Sequence, residues 1–139
     1  MNVLLSVKPK YVDEIKRGKK KYEFRKTLGN KKYFEKINKI FIYSSSPVKK
    51  IVASFVFNIV IEDHPKILWE KCKDLSGIEE SEFFKYFDKK EKGLAIKISD
   101  LKFFKEPIDP KSIFPEFYPP QSFRYIEDIE TNMKITHFL

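Results

Sequence analysis

The sequence is poor in cysteine, histidine and glycine, with one Cys, two His and four Gly among 139 residues. The single thiol, Cys72, excludes an internal disulfide, and no Cys/His grouping has the spacing of a zinc site, so neither metal nor cofactor is expected. His64 and His137 lie far apart in the chain, and His64, set between Asp63 and Pro65, reads as a helix-start residue. There is no run of 18 or more apolar residues, which argues against a membrane span. Met1-Asn2-Val3-Leu4-Leu5 is apolar but short and lacks a basic flank, so it reads as a first strand and not as a secretory leader. Cytoplasmic location is the default expectation. Internal repeats and low-complexity linkers are also absent.

Rings and lysines are plentiful. Fourteen Phe and seven Tyr supply ring-rich packing for a core, and the length suits one domain, expected over residues 1–128 with 129–139 as a tail or extra element. The formal net charge of +8 is unevenly placed. Residues 8–50 hold fifteen Lys/Arg against four Asp/Glu, and the rest of the chain holds thirteen against sixteen. Compositional bias alone would spread the lysines. Their confinement to one segment favours a polyanionic partner, with nucleic acid ahead of a membrane surface.

Periodicity gives a coarse map. Asn2–Val7 reads as a buried strand, and Pro9 opens a helix with Tyr11, Val12 and Ile15 on its apolar face and Gly18 as its stop. Residues 20–26 alternate: Tyr22 and Phe24 fall on an inward face, Lys21, Glu23 and Arg25 on an outward one. Residues 27–36 read as a loop with a Gly29-Asn30 turn. Residues 39–43 and 50–61 read as strands, the second long and β-branched, separated by Ser44-Ser45-Ser46-Pro47. Pro65 begins a helix expected to carry Ile67, Leu68 and Trp69 inward, and residues 81–87 a second with Phe83, Phe84 and Phe87 on one side. Strands follow at 93–98, 101–105 and 122–126. Short helices among irregularly spaced strands predict an α+β fold, a mixed or mostly antiparallel sheet curling into a small barrel.

Four segments in order carry a resemblance: Leu5-Ser6-Val7-Lys8-Pro9 with the helix after it; Gly18-Lys19-Lys20-Lys21-Tyr22-Glu23-Phe24-Arg25-Lys26; Ile42 to Ala53 with its Ser/Pro turn; and Pro119-Pro120-Gln121-Ser122-Phe123-Arg124-Tyr125-Ile126. Together they resemble the ASCH domain family of the PUA-like superfamily, over about residues 3–126. The second segment looks like that family's Gly-x-Lys-x-x-Glu-x-Arg signature. The resemblance implies a β-barrel flanked by helices, a cleft lined by the Lys/Glu/Arg segment, and a role in RNA binding or nucleic-acid-linked regulation. Hydrolase-type relatives resemble a pattern with Lys two residues after the Gly and Thr two before the Arg. Lys20 keeps the first place, whereas Glu23 stands in the second, so the hydroxyl of that pattern is absent.

Besides the bland reading of an accessory protein-interaction domain, two functional classes remain open at this point. One is a binding module for RNA, another nucleic acid or a nucleotide-like ligand, with Lys8, Lys20, Lys21, Arg25 and Arg124 on phosphates or bases, Glu23 orienting a cation, and Ser45 presenting a hydroxyl from its turn. In it, Glu23 would fix Arg25 for a bidentate phosphate contact. The other is a small hydrolase, a nuclease or an amidohydrolase acting on a modified nucleoside, drawing on Lys20, Lys21, Glu23 and Ser45. It requires a lysine and a carboxylate to converge within reach of one another. The opposing structural readings are an exposed charge ladder for Lys21, Glu23 and Arg25, solvated lysines at 19 and 20, a plain turn at 44–47, and core roles for Phe123, Tyr125 and Trp69.

Overall fold

The computed structural model describes residues 1–127. Strand β1 (Asn2–Val7) leads through Lys8 into helix α1 (Pro9–Lys16), and β2 (Tyr22–Arg25) follows. A 3-10 turn (Lys31–Lys36) precedes β3 (Lys39–Ser44), β4 (Lys50–Val56) and β5 (Val60–Asp63). Helices α2 (Pro65–Cys72) and α3 (Glu80–Tyr86) come next, then β6 (Gly93–Lys97), β7 (Ser99–Ile108) and β8 (Phe123–Ile126). Proline opens both α1 and α2, where its missing N–H has no helical partner. His64 caps α2, its Nδ1 accepting from Lys66 N at 3.1 Å. Gly18, at φ +79°, ends α1 in a conformation that costs a β-carbon-bearing residue more.

The strands form two sheets. One has five strands in the order β7-β4-β3-β1-β8, and the other three in the order β2-β6-β5. Among the described residues only β1 and β3 are parallel; the remaining pairs are antiparallel. The α+β class and mixed pairing expected from the sequence hold, but the sheets do not close into a barrel. Among the described residues β7 and β8 are the open edges of the larger sheet, and β2 pairs only with β6. The single strand expected over residues 50–61 is two: the chain leaves the larger sheet after Val56 and joins the smaller at Val60. A continuous apolar run cannot reveal that change of sheet. The expected loop at 27–36 contains the 3-10 turn, with Asn30 accepting from Lys32 N at its start. The tail expected at 129–139 lies outside the described residues.

Three apolar clusters show how the layers stack. Val3, Leu5 and Val7 of β1 meet Val12 and Ile15 of α1, and Ile40, Ile42 and Phe55 meet Leu94 and Ile96 of β6, between the two sheets. Leu4, Phe41, Tyr43, Ile51 and Ile126 cover the other face of the larger sheet, with Ile108, Ile113 and Phe114. Phe24 and Ala95 on the far face of the smaller sheet pack against Leu68, Cys72, Phe83 and Phe87. Phe83 is the hub of that group, with ring centroids 5.0 Å from Phe24 and Trp69 and 4.9 Å from Phe87. Trp69 is half-buried there, but Ile67, expected inward, is 43% exposed. The smaller sheet is thus covered on both faces, by helices on one and by the larger sheet on the other, and this decides the fate of its charged residues.

Candidate functional site

Strand alternation in β2 sends Tyr22 and Phe24 toward the helices and Glu23 and Arg25 to the opposite face. That second face is not a solvent face, because the larger sheet lies across it. Glu23 is 4% exposed, Arg25 9% and Lys20 3%. The outward face expected of Glu23 and Arg25 is not solvated, and with Lys20 they form a buried ion cluster. Burying ions costs several kcal/mol per ion unless each is paired and hydrogen-bonded, and here each is.

Arg25 is satisfied on all three nitrogens. Nε and Nη2 donate to Glu23 Oε2 at 2.9 and 2.7 Å, Nη2 also donates to the Ser6 carbonyl at 2.7 Å, and Nη1 reaches the carbonyl and Oγ of Ser122 at 3.3 Å each. The guanidinium therefore ties β2 of the smaller sheet to β1 and to the approach of β8 in the larger. The bidentate phosphate contact expected of Arg25 is not what its geometry offers: its donors are committed to the protein.

Lys20 is the cation that joins Glu23. Its Nζ lies 3.6 Å from Glu23 Oε1 and donates to the Ser76 carbonyl at 3.0 Å. The ammonium sits 4.8 Å from the Phe24 ring centroid and 5.4 Å from that of Tyr11, both within cation–π range. Burial pushes its pKa below the ordinary 10.5, opposed by Glu23 and assisted by Arg25. The 75–78 loop holds the lysine in place. Lys20 bridges Ser76, and Lys21 N donates to the Leu75 carbonyl at 2.8 Å. Gly77 sits at φ +62°, where an added β-carbon would come within 2.9 Å of Lys20 Cα. Gly77→Ala is expected to lower stability by at least about 1–2 kcal/mol, the left-handed backbone cost alone, and to displace Lys20. Chemical denaturation and the Lys20 amide NMR shift check both.

These groups form the floor of an open cleft of about 790 Å³, lined also by Lys8, Tyr11, Ser45, Lys26, Tyr86 and Gln121. Ser45 stands where its N–H donates to the Val7 carbonyl at 2.9 Å. Helix α3 forms one wall. Its Glu82, Lys85 and Tyr86 recur at helical spacing and all face the cleft. Lys26 Nζ lies 4.8 Å over the Tyr86 ring, and Lys26 N donates to Tyr86 Oη at 3.2 Å. At the rim Glu82 accepts from Lys10 Nζ at 3.0 Å and from the Tyr11 hydroxyl.

Of the residues expected from sequence, Lys8, Lys20, Glu23, Arg25 and Ser45 come together at the cleft. Lys21 is exposed and does not line it, because β2 begins only at Tyr22 and Lys21 lies beyond the alternating face. Arg124 lies on the other face of the larger sheet, opposite Leu4, with its guanidinium 4.5 Å over the Phe114 ring. Sequence reasoning missed Tyr11, Glu82 and Tyr86. The polar stripe at 82, 85 and 86 was the available signal, and it is visible only if the unburied side of that helix is read as a wall. Among the described residues no group of three or more His, Cys, Asp or Glu could hold a metal, and no helix is long and apolar enough to cross a membrane.

The chain is thus a two-sheet α+β domain with a buried Lys-Glu-Arg cluster under an open cleft. Residues 1–116 match the family described as a domain of unknown function, DUF365, and the chain belongs to that ASCH-like family. It is 26% identical over 139 residues to an ASCH domain-containing ribonuclease of Zymomonas mobilis, covering 96% of this chain and 89% of the relative. The crystal structure of ASCH from Zymomonas mobilis superposes with a TM-score of 0.82 at 26% identity, covering 98% of this chain and 94% of that one. The N-terminal domain of Staphylothermus marinus McrB shares the fold at a TM-score of 0.65 and 14% identity, over 97% and 93% of the two chains.

Proposed function

We propose that this protein binds single-stranded RNA and seats one unpaired nucleotide in the cleft above Lys20 and Glu23. The observation that carries the proposal is a buried ion cluster at the floor of a cleft whose mouth is ringed by Lys8, Lys10, Lys26 and Lys85. A volume of about 790 Å³ is within the range of about 300–1,000 Å³ that accepts a ligand of nucleotide size. The rim lysines suit phosphates on either side, which fix register without reading sequence. Tyr86 presents a ring at the cleft wall beneath Lys26, and a base that displaces that ammonium would gain about 1–3 kcal/mol by stacking. Gln121, Ser45 and Glu23 Oε1 offer hydrogen-bonding groups to a base edge. The ribonuclease name of the Zymomonas mobilis relative agrees with an RNA ligand.

Binding of a short single-stranded RNA, measured across a salt series, tests this. The wild type should bind with a steep salt dependence. Replacing Lys8, Lys26 and Lys85 by alanine should flatten the log–log slope by about 0.7 for each phosphate no longer neutralised. An unchanged slope, or no binding at low salt, would remove RNA from the cleft.

A second reading, that the cleft also cuts the strand, is favoured by Lys20. Its lowered pKa makes the neutral amine accessible at lower pH than in a free lysine. Neutral Lys20 would take the proton of a ribose 2′-hydroxyl as the 2′-oxygen bonds to the adjacent phosphorus and the P–O5′ bond breaks. A 2′,3′-cyclic phosphate and a 5′-hydroxyl result, the latter receiving the proton back. An oligomer of 2′-deoxynucleotides lacks the attacking oxygen and should remain intact.

A further inference from the structure

Tyr11 and Glu82 line two hollows at once. Beyond them lies a second hollow of about 630 Å³, bounded by Gly18, Lys19 and the 73–79 loop. The wall between the two is a clasp: the Glu82 carboxylate accepts from Lys10 Nζ at 3.2 and 3.0 Å on its two oxygens and from the Tyr11 hydroxyl. These donors hold the carboxyl below its usual range, the Tyr11 bond most and Lys10 next, with Lys8 adding attraction. An ammonium and a phenol converging on one anion, with a further ammonium acting on it, make a donor set that suits phosphate oxygens as well as a carboxylate. Tyr11 also reaches inward, its ring beside the Lys20 ammonium, so the clasp adjoins the floor of the cleft. The Glu82 side chain is 42% exposed, free to swing outward without unpacking the core.

Resting on the RNA reading of the cleft, we infer that Lys10 and Tyr11 form a phosphate subsite which the Glu82 carboxylate occupies in the unliganded protein. A phosphodiester of the bound strand displaces Glu82, takes over the Lys10 and Tyr11 donors, and opens the wall toward the second hollow. Glu82 thereby sets a threshold: a ligand without a phosphate at this spacing does not release the clasp.

Glu82→Gln keeps the side-chain shape and removes the competing charge. It should tighten binding of a short single-stranded RNA by about three- to fivefold, the worth of a partly exposed ion pair. Glu79→Gln, which removes the same charge from the second hollow, should leave affinity near wild type. The gain should vanish in Tyr11→Phe/Glu82→Gln and in Lys10→Ala/Glu82→Gln. Millimolar inorganic phosphate should raise the Tm of Glu82→Gln but not that of the wild type. Equal gains in the two glutamine variants, or a gain that survives loss of Tyr11 and Lys10, would mean that only long-range charge is at work and overturns the subsite. RNA binding by the wild type with no gain in Glu82→Gln defeats the subsite alone. Absence of RNA binding together with a phosphate-dependent Tm in Glu82→Gln defeats the RNA reading and leaves the subsite standing.

Discussion

Arg25→Ala is expected to destabilise this protein by about 3–5 kcal/mol, the usual cost of removing one partner from a buried ion pair. Three consequences add together. Glu23 loses both hydrogen bonds to Oε2, and its remaining cation, Lys20, is 3.6 Å away. The Ser6 carbonyl loses the Arg25 donor, and the Ser122 carbonyl keeps only the Ser6 N–H at 2.9 Å. The seam between the sheets loses the side chain that crosses it. Arg25→Lys should recover little, since a single ammonium cannot reach Glu23, Ser6 and Ser122 in the directions the planar guanidinium does. Lys21→Ala, four residues away and exposed, should stay within about 0.5 kcal/mol of wild type, as surface substitutions do. Urea denaturation of the three variants measures this directly. A loss under about 1 kcal/mol for Arg25→Ala would mean that the cluster is not the buried, fully paired group described above, since the buried-pair figure would then not apply.

Lys20→Met carries the other large effect. It keeps the length of the stem in the Tyr11–Phe24 slot and leaves Glu23 paired with Arg25, so the fold should persist. If the cleft cuts RNA with Lys20 as the proton acceptor, strand cleavage should fall by about 10²- to 10⁴-fold. In the wild type the rate should rise with pH and level off at a midpoint below the ordinary lysine value of 10.5. The same depressed pKa makes a statement about stability. Between the folded-state value and 10.5 the unfolded chain holds the Lys20 proton and the folded chain has released it. Wild-type stability should therefore rise with pH through that window relative to Lys20→Met, because the burial penalty on the ammonium is full below the window and gone above it. A difference between the two proteins that does not vary with pH would show that Lys20 does not titrate differently in the folded state.

Much of this was legible in the sequence, for reasons that can be named. Prolines 9 and 65 placed two helix starts, and alternation at 22–25 separated Phe24 from Glu23 and Arg25 correctly. What alternation cannot supply is which face meets water. A charged face is expected to be solvated, and only the tertiary stacking of two sheets shows that Glu23 and Arg25 lie in a middle layer. For the same reason Lys20, set apart from its neighbouring lysines only by the family signature, read as solvated from its position: its burial depends on Gly77 and Ser76, more than fifty residues away. Arg124 looked like a site residue because alternation put it on one face with Ser122, but β8 begins only at Phe123, so Ser122 turns to Arg25 while Arg124 lies over Phe114. The barrel failed because strands were counted without their pairing; β5 and β6 belong with β2.

The most direct test of the cleft as the RNA site is an NMR titration of the isotope-labelled protein with a short single-stranded RNA. Shifts centred on Tyr11, Lys20, Glu23, Ser45, Tyr86 and Gln121, with Arg124 and the 31–36 turn undisturbed, are the predicted result. Shifts confined to the basic 31–36 turn, with the Lys20 and Glu23 signals unmoved, would contradict it.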